Sequence, residues 1–164
     1  YGGAQIREAQ FQTYRSVANT GMVVVSDVTV DTNDIHPKNK QDVGKRLATW
    51  ALANTYHKEN ISYSGPLYRS MEIKGNKAII YFDFAKDGLM KKGVELTDFL
   101  IAGDDHQFFP ATATIADSTV NVYSPKVPHP AAVRMGFTNT AIPNLFNKAG
   151  LPSSPFRTDC WELK

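Results

Sequence analysis

The spacing of apolar residues along the chain changes character near residue 62. Before that point Ile6, Ala9, Tyr14 and Val17 recur near helical spacing and predict a helix over residues 4–17. Gly21-Met22-Val23-Val24-Val25 is a continuous apolar run, which predicts a short, fully buried strand of the kind that fills the parallel sheet of an α/β domain. A polar loop over 26–38 follows. Val43, Leu47, Trp50 and Ala51 then share one face of a second predicted helix over 40–56, with Asn39 as its N-cap and Asp42 in the first turn, where a carboxylate suits the helix dipole.

After Ser64-Gly65-Pro66 the helical period disappears. Short strands are predicted over 67–73, 77–84, 99–102, 107–115, 119–123 and 131–137, with Lys74-Gly75-Asn76 and Ala116-Asp117-Ser118 as hairpin turns and Lys86-Asp87-Gly88 as a turn or bulge. Strands at this spacing predict a small antiparallel β-sandwich. The stretch 139–164 carries Pro143, Pro152 and Pro155 and little periodicity, but Leu145, Phe146, Leu151, Phe156 and Trp161 are anchors that favour packing over disorder. The fold class expected is therefore α/β plus β: the end of an α/β domain over 1–62, then an antiparallel β-sandwich with a long tail over 63–164.

Composition narrows the function classes. The 18 basic and 16 acidic residues of the 164-residue chain leave a formal charge of +2, spread along the sequence without a basic stripe, so no nucleic-acid partner is expected. No apolar run approaches the length of a membrane span, and Tyr1-Gly2-Gly3-Ala4-Gln5 lacks the pattern of a signal peptide. The single cysteine, Cys160, has neither a disulfide partner nor a zinc-like neighbourhood.

The stretch that carries chemistry is Asp31-Thr32-Asn33-Asp34-Ile35-His36-Pro37, running on to Gly44. A histidine in a loop after a strand and ahead of a helix lies at the carboxyl edge of the sheet, where open α/β folds place their sites. An acyl-transfer base needs a near-neutral imidazole held at Nδ1 so that Nε2 meets the nucleophile. Asp34, two residues earlier in an extended loop, has the reach to hold it, or else caps loop amides as an Asx-turn. Pro37 biases His36 away from helical geometry, and Gly44 permits close approach of the helix to a neighbour.

This run resembles the last block of the SGNH (GDSL-like) hydrolases, where His-Pro precedes a glycine on the next helix. Nearly the whole chain is similar to the C-terminal part of the sialate O-acetylesterases. The similarity runs through Ile6-Arg7-Glu8-Ala9-Gln10, Asn19-Thr20-Gly21-Met22, Ser64-Gly65-Pro66-Leu67-Tyr68, Ile101-Ala102-Gly103, Pro143-Asn144-Leu145-Phe146-Asn147 and Gly150-Leu151-Pro152, and on to Pro155-Phe156-Arg157-Thr158-Asp159.

The resemblance implies hydrolysis of an O-acetyl ester on sialic acid, with His36 as catalytic base and without a cofactor or metal. The superfamily's acid position, three before the histidine, holds Asn33 here; either Asp34 orients His36, or a main-chain carbonyl near Asn33 does so in a Ser-His dyad. The family's Gly-Asp/Glu-Ser nucleophile motif is absent. The implied partner is therefore the N-terminal part of the same enzyme, which brings the serine, and this chain alone is expected to be inactive.

Localisation outside the cytoplasm, periplasmic or secreted, is carried by the resemblance alone. Rival readings are an acetylesterase acting on xylan or pectin, and a noncatalytic glycan-binding β-sandwich. Arg134 and Arg157 are candidate substrate contacts through bidentate pairing, or ties between tail and sandwich. Lys38, Lys40, Lys45 and Arg46 either attract a substrate carboxylate or form a solvated helix face. His57 is expected at a helix C-terminus, His106 in a turn where Asp104 and Asp105 offer weak cation ligands, and His129 in a rigid loop.

Overall fold

The computed structural model describes residues 1–29, 31, 36 and 38–163. Two helices open the chain, α1 (Gly2–Ser16) and α2 (Lys40–Asn54). Ten strands follow: β1 (Leu67–Lys74), β2 (Lys77–Asp83), β3 (Leu89–Lys91), β4 (Phe99–Ala102), β5 (Phe109–Pro110), β6 (Thr112–Ala116), β7 (Thr119–Tyr123), β8 (Ala132–Met135), β9 (Leu145–Asn147) and β10 (Phe156–Arg157). They form antiparallel sheets in the orders β1-β2-β7-β6 and β10-β8-β4-β5, with β3 and β9 as a separate pair.

The two larger sheets share one core. Ala78, Ile80 and Phe82 alternate inward along β2 and Val120 and Val122 along β7, meeting Phe99, Ile101, Val133, Met135 and Phe156 from the other sheet. Period-two alternation buries every second residue of a half-covered strand, which is why the sequence announces these elements so clearly. Both predicted hairpins close as two-residue turns, Lys74 opposite Lys77 and Ala116 opposite Thr119. Gly75 and Asp117 take the positive φ that such turns demand, 60° and 55°.

The stretch 107–115, expected as one strand, is two. Phe109–Pro110 pairs with β4 in one sheet, and Thr112–Ala116 pairs with β7 in the other. Pro110 has no N–H to donate to a continuing ladder, so the chain turns the corner there, and the Ala111 amide donates to Phe99 O at 3.0 Å. The unanticipated strands β3, β9 and β10 span three residues or fewer each, too short for any period to declare itself.

The tail packs, as its anchors imply. Leu145, Phe146, Ser153 and Phe156 are buried, and the Phe156 ring stacks on Tyr68 at 4.9 Å. Gly65 lies so close to the tail backbone that a Cβ there would stand 2.0 Å from Pro152 O, which explains the glycine in Ser64-Gly65-Pro66.

The first sixty residues differ from expectation in two respects. Met22, Val23 and Val24 are only half-buried, Val25 is exposed, and residues 21–25 join no ladder among the described residues. A run of this composition becomes a buried parallel strand only with strands on either side of it, and the described chain supplies none. The second helix ends at Asn54 rather than near residue 56, with the Tyr56 amide bonding Ala51 O at 3.0 Å and the Lys58 amide bonding Leu52 O at 2.9 Å. His57 lies beyond the helix at φ 52°, in the left-handed geometry that closes helix ends, and not in the last turn.

Candidate active site

His36 is exposed on the loop between the 21–25 segment and α2. Both ends of that loop are tied. At its entry Arg46, reaching back from α2, grips Asp27 through two bonds of 2.6 and 2.8 Å and donates to Val24 O at 2.6 Å. At its exit the Asn39 side chain accepts from the Asp42 amide at 3.1 Å and donates to the Asp42 carboxylate at 2.8 Å, a reciprocal N-cap. The Asn39 bond holds the Asp42 carboxyl below its ordinary pKa range.

Close approach of α2 to the extended segment also occurs, but at a different glycine from the one expected. A Cβ on Gly21 would lie 2.4 Å from the Trp50 ring, whereas one on Gly44 would meet nothing within 4 Å. Gly44 therefore faces open space among the described residues.

Asp34 and Pro37, expected to orient His36 and to stiffen its turn, lie outside the described residues, as does Asn33. Arg46 is the positioning residue that sequence reasoning missed. It was read with Lys38, Lys40 and Lys45 as either attracting a substrate carboxylate or forming a solvated helix face, yet it and Asp27 are mostly covered, each with 14% of its side chain exposed. The available signal was an aspartate just after an apolar run and an arginine on the face of the following helix.

The geometry supports a structural tie for the two candidate substrate arginines. Arg134 is buried and holds Asp159 through Nε and Nη2 at 2.9 and 2.8 Å, with its guanidinium 4.0 Å from the Phe108 ring centre. Arg157 holds Glu8 of α1 at 2.6 and 3.0 Å and donates to Trp161 O at 2.9 Å. Hydrogen bonding to Glu8, then the Glu8 and Asp159 charges, keeps the Arg157 guanidinium above its ordinary pKa range. These pairs bind α1 and the tail to the sheets.

His106 also serves packing, its ring stacked on Trp161 at 3.7 Å. The described residues contain no group of three His, Cys, Asp or Glu side chains placed to hold a metal. No helix among them is long and apolar enough to cross a membrane.

A groove of about 280 Å³ opens beside the His36 loop. Arg7 and Gln10 of α1 form one wall, residues 22–26 with Thr29 and Asp31 a second, and residues 139–142 with Ser154 and Pro155 the third. Asp31 links the groove to the loop; His36 is not among the lining residues. α1 is joined to the third wall where the Gly3 amide donates to Asn139 Oδ1 at 3.0 Å and Arg7 donates to Thr138 O.

Comparison with known proteins agrees on one chemistry. The chain is 28% identical over 115 residues to a sialate O-acetylesterase of Rattus norvegicus, a match covering 65% of this chain and 21% of that protein. A solved carbohydrate acetylesterase from Xanthomonas citri superimposes with a TM-score of 0.88 at 41% identity, covering 96% of this chain and 36% of that one. The chain thus spans about a fifth to a third of the proteins it matches. No protein-family model matches it. Both likenesses support reading the chain as a C-terminal portion of a sialate or carbohydrate O-acetylesterase.

Proposed function

We propose that this chain, a C-terminal portion of a sialate or carbohydrate O-acetylesterase, contributes the base of a serine esterase that removes O-acetyl groups from sialic acid. The observation that carries the proposal is an exposed imidazole on a loop tied at both ends, in a fold superimposable on a carbohydrate acetylesterase. His36 takes the proton of a serine hydroxyl as that oxygen attacks the acetyl carbonyl, then gives it to the departing sugar hydroxyl. Water repeats the sequence on the acyl-enzyme and releases acetate. The serine, and the amide donors that stabilise the oxyanion, come from polypeptide outside this sequence.

The exposed apolar surface of the first part supports that division. Ile6, Leu47 and Tyr56 are 63%, 53% and 68% exposed, and residues 21–25 join no ladder among the described residues. On this reading residues 1–62 are the end of an SGNH-type α/β domain whose other strands cover these faces, and the two-sheet unit after residue 63 is the expected β-sandwich. The name of the Xanthomonas citri protein specifies carbohydrate but not sialic acid, which favours one alternative, an acetyl ester on another glycan such as xylan or pectin.

The two substrates are separated by assembling this chain with the segment bearing the Gly-Asp/Glu-Ser motif and measuring acetate release. Turnover of O-acetylated sialic acid well above that of acetylated xylan or pectin is expected. The reverse order transfers the activity to xylan or pectin, and glycan binding without any acetate release rejects the esterase reading.

A further inference from the structure

We propose that Arg46 and Asp27 are positioning residues for His36: their ion pair fixes the stretch that enters the His36 loop against the helix that leaves it, and so sets where the imidazole stands. The inference rests on the proposed esterase activity and adds which residues the base depends on, although neither of them touches the reacting atoms.

The stretch over 21–29 has no ladder to hold it. Among the described residues, no backbone hydrogen bond joins it to α2, and residues 21–25 pair with no strand. Its place is set instead by side chains from one face of α2. Trp50 lies against Gly21, where a Cβ would stand 2.4 Å from the ring. One turn earlier on the same face, Arg46 holds both Asp27 carboxylate oxygens at 2.6 and 2.8 Å and the Val24 carbonyl at 2.6 Å. The stretch therefore runs antiparallel to α2 and is strapped to it at two points. The loop with His36 connects Asp27 to the N-cap of the same helix at Asn39, so both of its ends are set by α2.

The kind of interaction matters as much as its place. Lys45 and Asp42, on the same helix, form an exposed pair at 3.8 Å, and pairs of that sort contribute little. Arg46 and Asp27 are mostly covered, and taking two charges out of water is costly. Apolar side chains of similar volume commonly stabilise such a position equally well, so stability alone gives no reason for an ion pair here. A two-pronged arginine–carboxylate bond differs in fixing orientation as well as distance. Orientation is what a proton-transfer base requires, because a misplacement of about 1 Å costs about a hundredfold in rate.

The test uses the enzyme assembled with its serine-bearing segment, assayed for acetate release well below the melting temperature that calorimetry gives for each variant. Arg46→Gln and Asp27→Asn are each expected to lower kcat about ten- to a hundredfold with KM little changed. The double variant loses no more than either single one, since both remove the same pair. Arg46→Lys, which keeps the charge and one bond, retains part of the rate. In an H36A background, Arg46→Gln changes the residual rate by less than about twofold, because there is no imidazole left to position. A raised KM at unchanged kcat would make Arg46 a substrate contact, and a lowered Tm at unchanged kcat would make the pair a feature of stability alone. Either result overturns the assignment, as does an R46Q loss of the same size with and without His36. The esterase reading is decided separately, by the rate of H36A with Arg46 in place.

Discussion

Replacing His36 by alanine in the enzyme assembled with its serine-bearing segment is expected to lower kcat by about four to six orders of magnitude. Without the imidazole the serine proton has no acceptor at neutral pH, and the leaving sugar oxygen has no donor. Binding of the substrate uses other groups, so KM moves little. What activity remains comes from the oxyanion donors and from substrate positioning. Initial rates of acetate release measure the effect, and a wild-type rate in H36A removes His36 from the mechanism.

The second large effect concerns stability. Asp159→Ala leaves the buried Arg134 guanidinium without the carboxylate that it holds at 2.8 and 2.9 Å, where the two side chains are 6% and 1% exposed. Breaking one side of such a pair costs about 3–5 kcal/mol. For a domain of this size that lowers Tm by about 10 °C. The same substitution removes a charge 3.6 Å from Arg157 and an acceptor of the Trp161 amide, so the tail and α1 loosen together. Calorimetry on D159A and on an R134M/D159L pair separates the two costs. The double replacement is expected to recover much of the loss, because it leaves no unpaired charge behind. A D159A chain as stable as the wild type would show that the pair is incidental to the fold.

How much was legible in the sequence depended on whether an element's partners lay within it. β4 and β7 were read with their observed limits, and both hairpins were read correctly; the burial of β7 alternates along its whole length, and the two strands of each hairpin are adjacent in the chain. The 21–25 run was read as a buried strand from composition alone. Composition reports the environment a segment is adapted to, and strands that would flank this run are absent from the described chain. Pro110 was a visible stop inside the stretch 107–115, and reading it as a break would have separated β5 from β6.

The candidate site was read from its chemistry more than from its geometry. His36 stands out through the residues around it, and the N-cap at Asn39 was foreseen from residue type. Arg46 was named only together with its neighbouring lysines, since an arginine on a helix reads as a surface charge until its partner, here Asp27, is seen in space. Arg134 and Arg157 show the converse. They were read as substrate contacts or as ties between tail and sandwich, and the carboxylates that they hold are Asp159 and Glu8.

The division of labour between this chain and a serine on other polypeptide is tested most directly by a serine-reactive fluorophosphonate probe, with the site of attachment read by mass spectrometry. The expected result is a label on the serine of the Gly-Asp/Glu-Ser segment, appearing rapidly only when wild-type chain is present and lost with H36A. A label on a serine of this chain, or equal labelling of the other segment with and without His36, would contradict the account.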